Sequence, residues 1–202
     1  MGKKELQSRD NWQNESGLQA INAENRFFHV FQEYFLKNSE KHLQIISKPN
    51  ELNNIYKDIQ LPQKILSKIY NPPNGYGRHG ISPDYAIKNL ISNKTLYIEV
   101  KRQDGWIEGK EMSAGRGNAH ERACKLFTPG LLNIMKKIGG LDNIPLPFWI
   151  IFQGDIARDP KRTREIYCWF SGFENHFYLW SNEDSDEVII KHFQKYFESH
   201  LA

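Results

Sequence analysis

Five consecutive apolar residues, Phe148-Trp-Ile-Ile-Phe152, form the longest apolar run of the chain, and they constrain its fold more than any other feature. The run is far too short to cross a bilayer. Its continuity instead predicts a buried strand over 147–153. Elsewhere the apolar period is helical. Leu18, Ile21, Phe28, Phe31 and Phe35, with Tyr34 beside them, predict an amphipathic helix packed on a core. Val188, Ile189, His192, Phe193 and Phe197 predict a second one over 185–201. Shorter helices are expected over 51–59 and over 63–70, where Pro62 opens the first turn. Another is expected over 118–127, broken by Thr128-Pro-Gly130 before 131–138 resumes. Residues 84–90 and 95–101 read as the strands of a β-hairpin joined by Ile91-Ser-Asn-Lys94, and 176–180 as a further strand. The polar stretch 1–16 reads as a flexible arm. With 202 residues the chain suits one α/β domain, 1–202, without internal repeat or linker.

Charge narrows the partners only locally. The formal net charge is +3, but residues 173–202 carry six acids and two bases, which leaves an excess of seven bases in the rest. The densest cluster, Arg158-Asp-Pro-Lys161-Arg162-Thr-Arg164, has the character of a polyanion-binding patch. A solvated face is the plainer reading of charge alone. Two cysteines, Cys124 and Cys168, fit a reducing cytoplasmic setting better than a disulfide scaffold, and no secretory leader is evident in MGKKELQSRDNWQ.

Chemistry concentrates in the hairpin. Period-2 alternation places Leu96, Ile98 and Val100 on one face of its second strand and Tyr97, Glu99 and Lys101 on the other. If the chain turns near Ser92, Asp84 lies opposite Glu99 or Lys101, depending on register. Two carboxylates and an ammonium then converge, as a metal-dependent phosphodiesterase requires. Carboxylate oxygens hold Mg²⁺, which polarises a phosphate and activates water. A nearby lysine stabilises developing negative charge and orients the attacking water. A surface salt bridge between hairpin neighbours would use the same residues.

A second constellation follows at Gly115-Arg116-Gly117-Asn118-Ala119-His120-Glu121-Arg122. Arginine suits the guanine O6/N7 edge, asparagine the adenine N6/N7 edge, and a small apolar side chain the thymine methyl. On a helix, Asn118 and Arg122 share a face, and Glu121 fixes arginine geometry through a charge-assisted fork. An N-capped helix with a routine ion pair is the bland alternative.

Together these motifs resemble a known family. Pro83-Asp84, fourteen residues, then Glu99-Val-Lys101 is similar to the PD-(D/E)xK active site of type II restriction endonucleases. The runs 99–106 and 113–122 resemble those of the CAATTG-cutting members. Gly117-Asn118-Ala119 with Glu121-Arg122 is also similar to the segment with which GAATTC cutters read AATT.

The resemblance implies a mixed central β-sheet flanked by helices, the restriction-endonuclease-like core. It implies that Asp84, Glu99 and the Val100 backbone carbonyl hold Mg²⁺ and that Lys101 assists the attacking water. It implies base reading by Arg116, Gly117, Asn118, Ala119 and Arg122, supported by Glu121, with Arg116 on the outer guanine. Further expectations are a homodimer on double-stranded DNA, four-base 5′ overhangs, a cognate DNA methyltransferase in the same cell, and phosphate contacts by Arg158, Lys161, Arg162 and Arg164. Rival readings are another nuclease of the superfamily (a GAATTC-type cutter, a repair nuclease or a junction resolvase) and a DNA-binding module without chemistry.

Overall fold

The computed structural model describes residues 25–48, 62–69, 83–104, 123–141 and 145–202. Its centre is a five-stranded sheet in the order β1-β2-β3-β4-β5. The strands are β1 (Leu43–Ser47), β2 (Tyr85–Asn89), β3 (Thr95–Arg102), β4 (Phe148–Gln153) and β5 (Phe177–Trp180). The first three pair antiparallel, whereas β4 joins β3, and β5 joins β4, in parallel. The sheet is therefore mixed, as the resemblance implies.

Every residue of β4 is buried, because the strand is interior and both its faces are covered. On one face lie α1 (25–37) and the C-terminal helix α5 (Asp186–Phe193), which continues through a wider π turn to Leu201. Phe27, Phe31, Tyr34, Phe35, Ile189, Phe193 and Phe197 pack there against Leu96, Ile98, Val100, Trp149 and Ile151. Phe27, not Phe28, joins Phe31 as a fully buried residue of α1. On the other face, α3 (Pro129–Asn133, extended by a π turn to Ile138) and α4 (Pro160–Trp169) cover Tyr97, Phe148, Ile150 and Phe152. Each such side chain contributes about 1.5–3 kcal/mol on burial, so the two aromatic layers together fix which face of the hairpin points where. A short helix, α2 (Gln63–Ile69), lies between β1 and β2 in the chain.

Local signals account for the ends of these helices. Thr128 caps α3 by accepting from Leu131 N–H, with Pro129 in the first turn. Asp159 caps α4 by accepting from Lys161 N–H at 2.9 Å, with Pro160 next. The basic residues Lys161, Arg162 and Arg164 thus lie at the start of a helix. The helices expected over 51–59, and from 18 to 24, lie outside the described residues, as does the arm 1–16. Both cysteines are free thiols. Among the described residues no helix is long and apolar enough to cross a membrane.

Candidate active site

Asp84 is placed by the strand it introduces. In the hairpin Tyr85 faces Ile98 and Ala86 faces Tyr97. Continuing that register sets Asp84 opposite Glu99, which resolves the alternative the sequence leaves open. Two backbone contacts hold it there. The Asp84 carbonyl accepts from Lys48 N–H at 3.0 Å, just beyond β1. Its carboxylate accepts from Val100 N–H at 2.8 Å.

Leu96, Ile98 and Val100 point into the first core layer, as expected, so Glu99 and Lys101 share the opposite face with Tyr97. The Lys101 Nζ lies 2.6 Å from Glu99 Oε1 and 3.9 Å from Asp84 Oδ2. All three are largely withdrawn from solvent, with side-chain exposures of 20%, 6% and 17% for Lys101, Glu99 and Asp84. Desolvation on this scale strengthens each electrostatic interaction well beyond that of a surface hairpin pair. A carboxylate as buried as Glu99 is costly without compensation, and the Lys101 ammonium supplies it.

The donor set suits a hard divalent cation. Asp84, Glu99 and the Val100 carbonyl offer only oxygen, two of the three donors being charged. Among the described residues no three His, Cys, Asp or Glu side chains gather in a metal-binding cluster.

Beyond Lys101 the chain is knitted to two neighbouring turns. Gln103 N–H donates to the Gln153 carbonyl at 3.1 Å, and Ile156 N–H donates to the Gln103 carbonyl at 3.0 Å. Asp104 accepts from the Arg102 guanidinium, from Asn182 Nδ2 at 3.0 Å and from Asp155 N–H at 3.3 Å. The sequence does not single out Asp104, since its partners beyond β3 lie 51 and 78 positions away.

The structure brings Asp84, Glu99, Val100 and Lys101 together. Arg116, Gly117, Asn118, Ala119, Glu121 and Arg122 lie outside the described residues. The basic cluster divides. Arg158 is paired with Glu183, from the acidic C-terminal stretch. Arg162 departs from its expected phosphate role: it is buried, and its guanidinium is 3.2 Å from Glu165 one helical turn on. Lys161 is half-buried and Arg164 exposed on α4. The C-terminal acids balance bases elsewhere as well: Asp186 holds Arg26 at 2.6 Å and Glu198 holds Lys41 at 2.9 Å.

With this geometry in place, comparison with known proteins gives a consistent result. The family model described as "Type II restriction enzyme MunI" matches residues 1–202. The curated type II restriction enzyme MunI of Mycoplasma sp is 46% identical over 204 residues, covering all of both chains. The crystal structure of MunI restriction endonuclease in complex with cognate DNA is similar at a TM-score of 0.65 and 43% identity. That match covers 95% of this chain and 98% of the other.

Proposed function

The chain belongs to the MunI family of type II restriction enzymes, site-specific deoxyribonucleases, and on that premise we propose that it cuts double-stranded DNA at the palindrome CAATTG. It hydrolyses one phosphodiester per strand after the cytosine and leaves 5′-AATT overhangs with 5′-phosphate and 3′-hydroxyl ends. The observation that carries the chemistry is the convergence of Asp84, Glu99 and Lys101 on one face of the hairpin. The order Arg116-Gly-Asn-Ala-His-Glu-Arg122 supports the choice of site, with Asn118, Ala119 and Arg122 suited to AATT and Arg116 to the outer guanine.

Asp84, Glu99 and the Val100 carbonyl hold Mg²⁺ in this reading. When bound, the ion neutralises charge on the scissile phosphate and promotes attack by water. Lys101, fixed between the acids, directs its ammonium at the negative charge that develops on the phosphate and orients the water. Val100 N–H holds the Asp84 carboxylate in place. In this reading the phosphates would be met from the exposed Arg158 and Arg164 and the half-buried Lys161 of the basic cluster.

A palindrome presents two identical half-sites, so the working unit is a homodimer on a two-fold axis. An enzyme of this specificity acts in the cytoplasm beside the genome, where a cognate methyltransferase must protect the host sites.

The test is digestion of a plasmid of known sequence with Mg²⁺, followed by sequencing of the ends. Ends at CAATTG with AATT overhangs are expected. Cutting at GAATTC or elsewhere would overturn the site, and specific binding without Mg²⁺-dependent cleavage would overturn the chemistry.

A further inference from the structure

Catalysis and base reading use adjacent stretches of one chain. Lys101 closes the catalytic set, Asp104 follows three residues later, and the chain then enters residues 105–122 with the reading motif. Asp104 stands at the exit and is tied at both of its carboxylate oxygens. Its Oδ1 receives the Asn182 amide at 3.0 Å, from the turn after β5, and Asp155 N–H at 3.3 Å, from the turn after β4. Its other oxygen takes the Arg102 guanidinium. The carboxylate is 15% exposed.

The backbone opposite is shaped to admit it. Gly154 has φ +92°, and a Cβ there would stand 2.3 Å from Asp104 Oδ1 and 2.9 Å from the Gln103 carbonyl. Both the conformation and the space require glycine. Gly154 N–H in turn donates to the Trp180 carbonyl at 3.0 Å. The ends of three parallel strands are thus tied through one carboxylate.

This clamp acts downstream of the catalytic residues. Glu99, Lys101 and Arg102 are already fixed by ladder pairing with Ile150, Phe152 and Gln153. After Arg102 the Gln103 backbone, bonded to Gln153 and Ile156, carries the chain one residue further, and the Asp104 carboxylate then directs it. We propose that Asp104 is a positioning residue that couples reading to cutting. It sets the point and direction from which the reading segment leaves the catalytic strand, and so governs discrimination between the cognate site and near-cognate ones. The inference rests on the restriction-enzyme reading of the same site.

The test compares kcat and kcat/KM on the cognate duplex and on duplexes changed at one base pair, for the wild type, Asp104→Ala, Asp104→Asn and Asn182→Ala. Asp104→Ala should leave cognate kcat within about threefold of wild type, because the ladder still holds the catalytic residues. Its preference for the cognate duplex should fall about tenfold or more. Asp104→Asn keeps an oxygen for Asp155 N–H and should restore part of that preference. Asn182→Ala, which touches only the far arm of the clamp, should lose less. A parallel fall on all duplexes, with the preference unchanged, would overturn the proposal, as would wild-type behaviour throughout. If Asp104→Ala fails to fold in a thermal melt, unchanged preference in both Asp104→Asn and Asn182→Ala overturns it equally. A wild-type enzyme indifferent to CAATTG would break the specificity reading instead, so the two failures are distinguishable.

Discussion

Two lysines in this molecule lie among acids, and the difference between their surroundings separates a scaffold from a site. Lys41 Nζ sits 2.9 and 3.1 Å from the two oxygens of Glu198 and donates to the Tyr34 hydroxyl at 2.7 Å. That hydroxyl donates to Glu198 at 2.7 Å and accepts from Gln194 at 2.9 Å. One ammonium meets one carboxylate, and each polar group has a partner. Burial pulls the Lys41 ammonium down, but its hydrogen bonds to Tyr34 and Glu198 more than reverse this, holding it above its ordinary range. Lys101 is bound just as closely, at 2.6 Å from Glu99, yet the described residues there bring two carboxylates to one ammonium. A balanced cluster cross-links α1 to the C-terminal helix. At Lys101 the described carboxylates outnumber the ammonium, which is the charge pattern the proposed cation and phosphate would meet.

The sharpest break of this comparison is Glu99→Gln. Removing one charge balances the site as Lys41 is balanced, with almost no change of shape. Cleavage should fall about a thousandfold or more, because in the proposed reading the cation would lose a charged ligand. Specific DNA binding, followed by gel shift in EDTA, should persist. Single-turnover cleavage within about tenfold of wild type would remove Glu99 from the metal site and leave the two clusters chemically alike.

How much of this was legible in the sequence follows from which interactions are local. The catalytic face was legible because alternation along Leu96–Lys101 is a property of one strand, and the aromatic layers only had to choose its side. Strand β1 leaves no readable period in the sequence, because only Ile45 in it is buried. Its role is tertiary: it aligns on β2, and Lys48 beyond it fixes Asp84. Helix α4 carries a readable start in Asp159-Pro160, an N-cap followed by proline, but the cations around it leave too few apolar positions to show a helical period. That also explains Arg162, which helical period turns inward beside Ile166. The acidic C-terminal stretch and the Asp104 clamp are long-range pairings, which leave no local mark.

The balanced cluster gives the second, smaller test. Lys41→Met keeps the aliphatic stem and removes the ammonium, leaving Glu198 with Tyr34 alone. The cost should be about 1–3 kcal/mol of stability, read from urea unfolding. Cleavage by the folded variant should match wild type, because Lys41 lies on the opposite face of the sheet from Glu99. A variant that cut poorly while unfolding at the wild-type urea concentration would erase the distinction drawn between the two lysines.

Acidification gives the third and smallest test, because it engages groups belonging to neither cluster. Burial lowers His176 from 6.5 to about 4, with its Nδ1 3.0 Å from the Phe148 carbonyl. Burial, aided by Lys195, does the same to His192, stacked on Trp149 at 5.3 Å. Both imidazoles are therefore neutral in the folded protein at pH values where the unfolded chain has begun to bind protons. Stability is fully present above pH 6.5 and declines as pH falls toward about 4, since the unfolded state takes up more protons throughout that window. Lys41, held above its ordinary range, stays charged there and contributes none of the slope. His192→Phe retains a ring against Trp149 but cannot titrate, so its urea midpoint should drop less than that of wild type between pH 7 and about pH 5. An equal drop in both proteins would place the acid sensitivity outside His192.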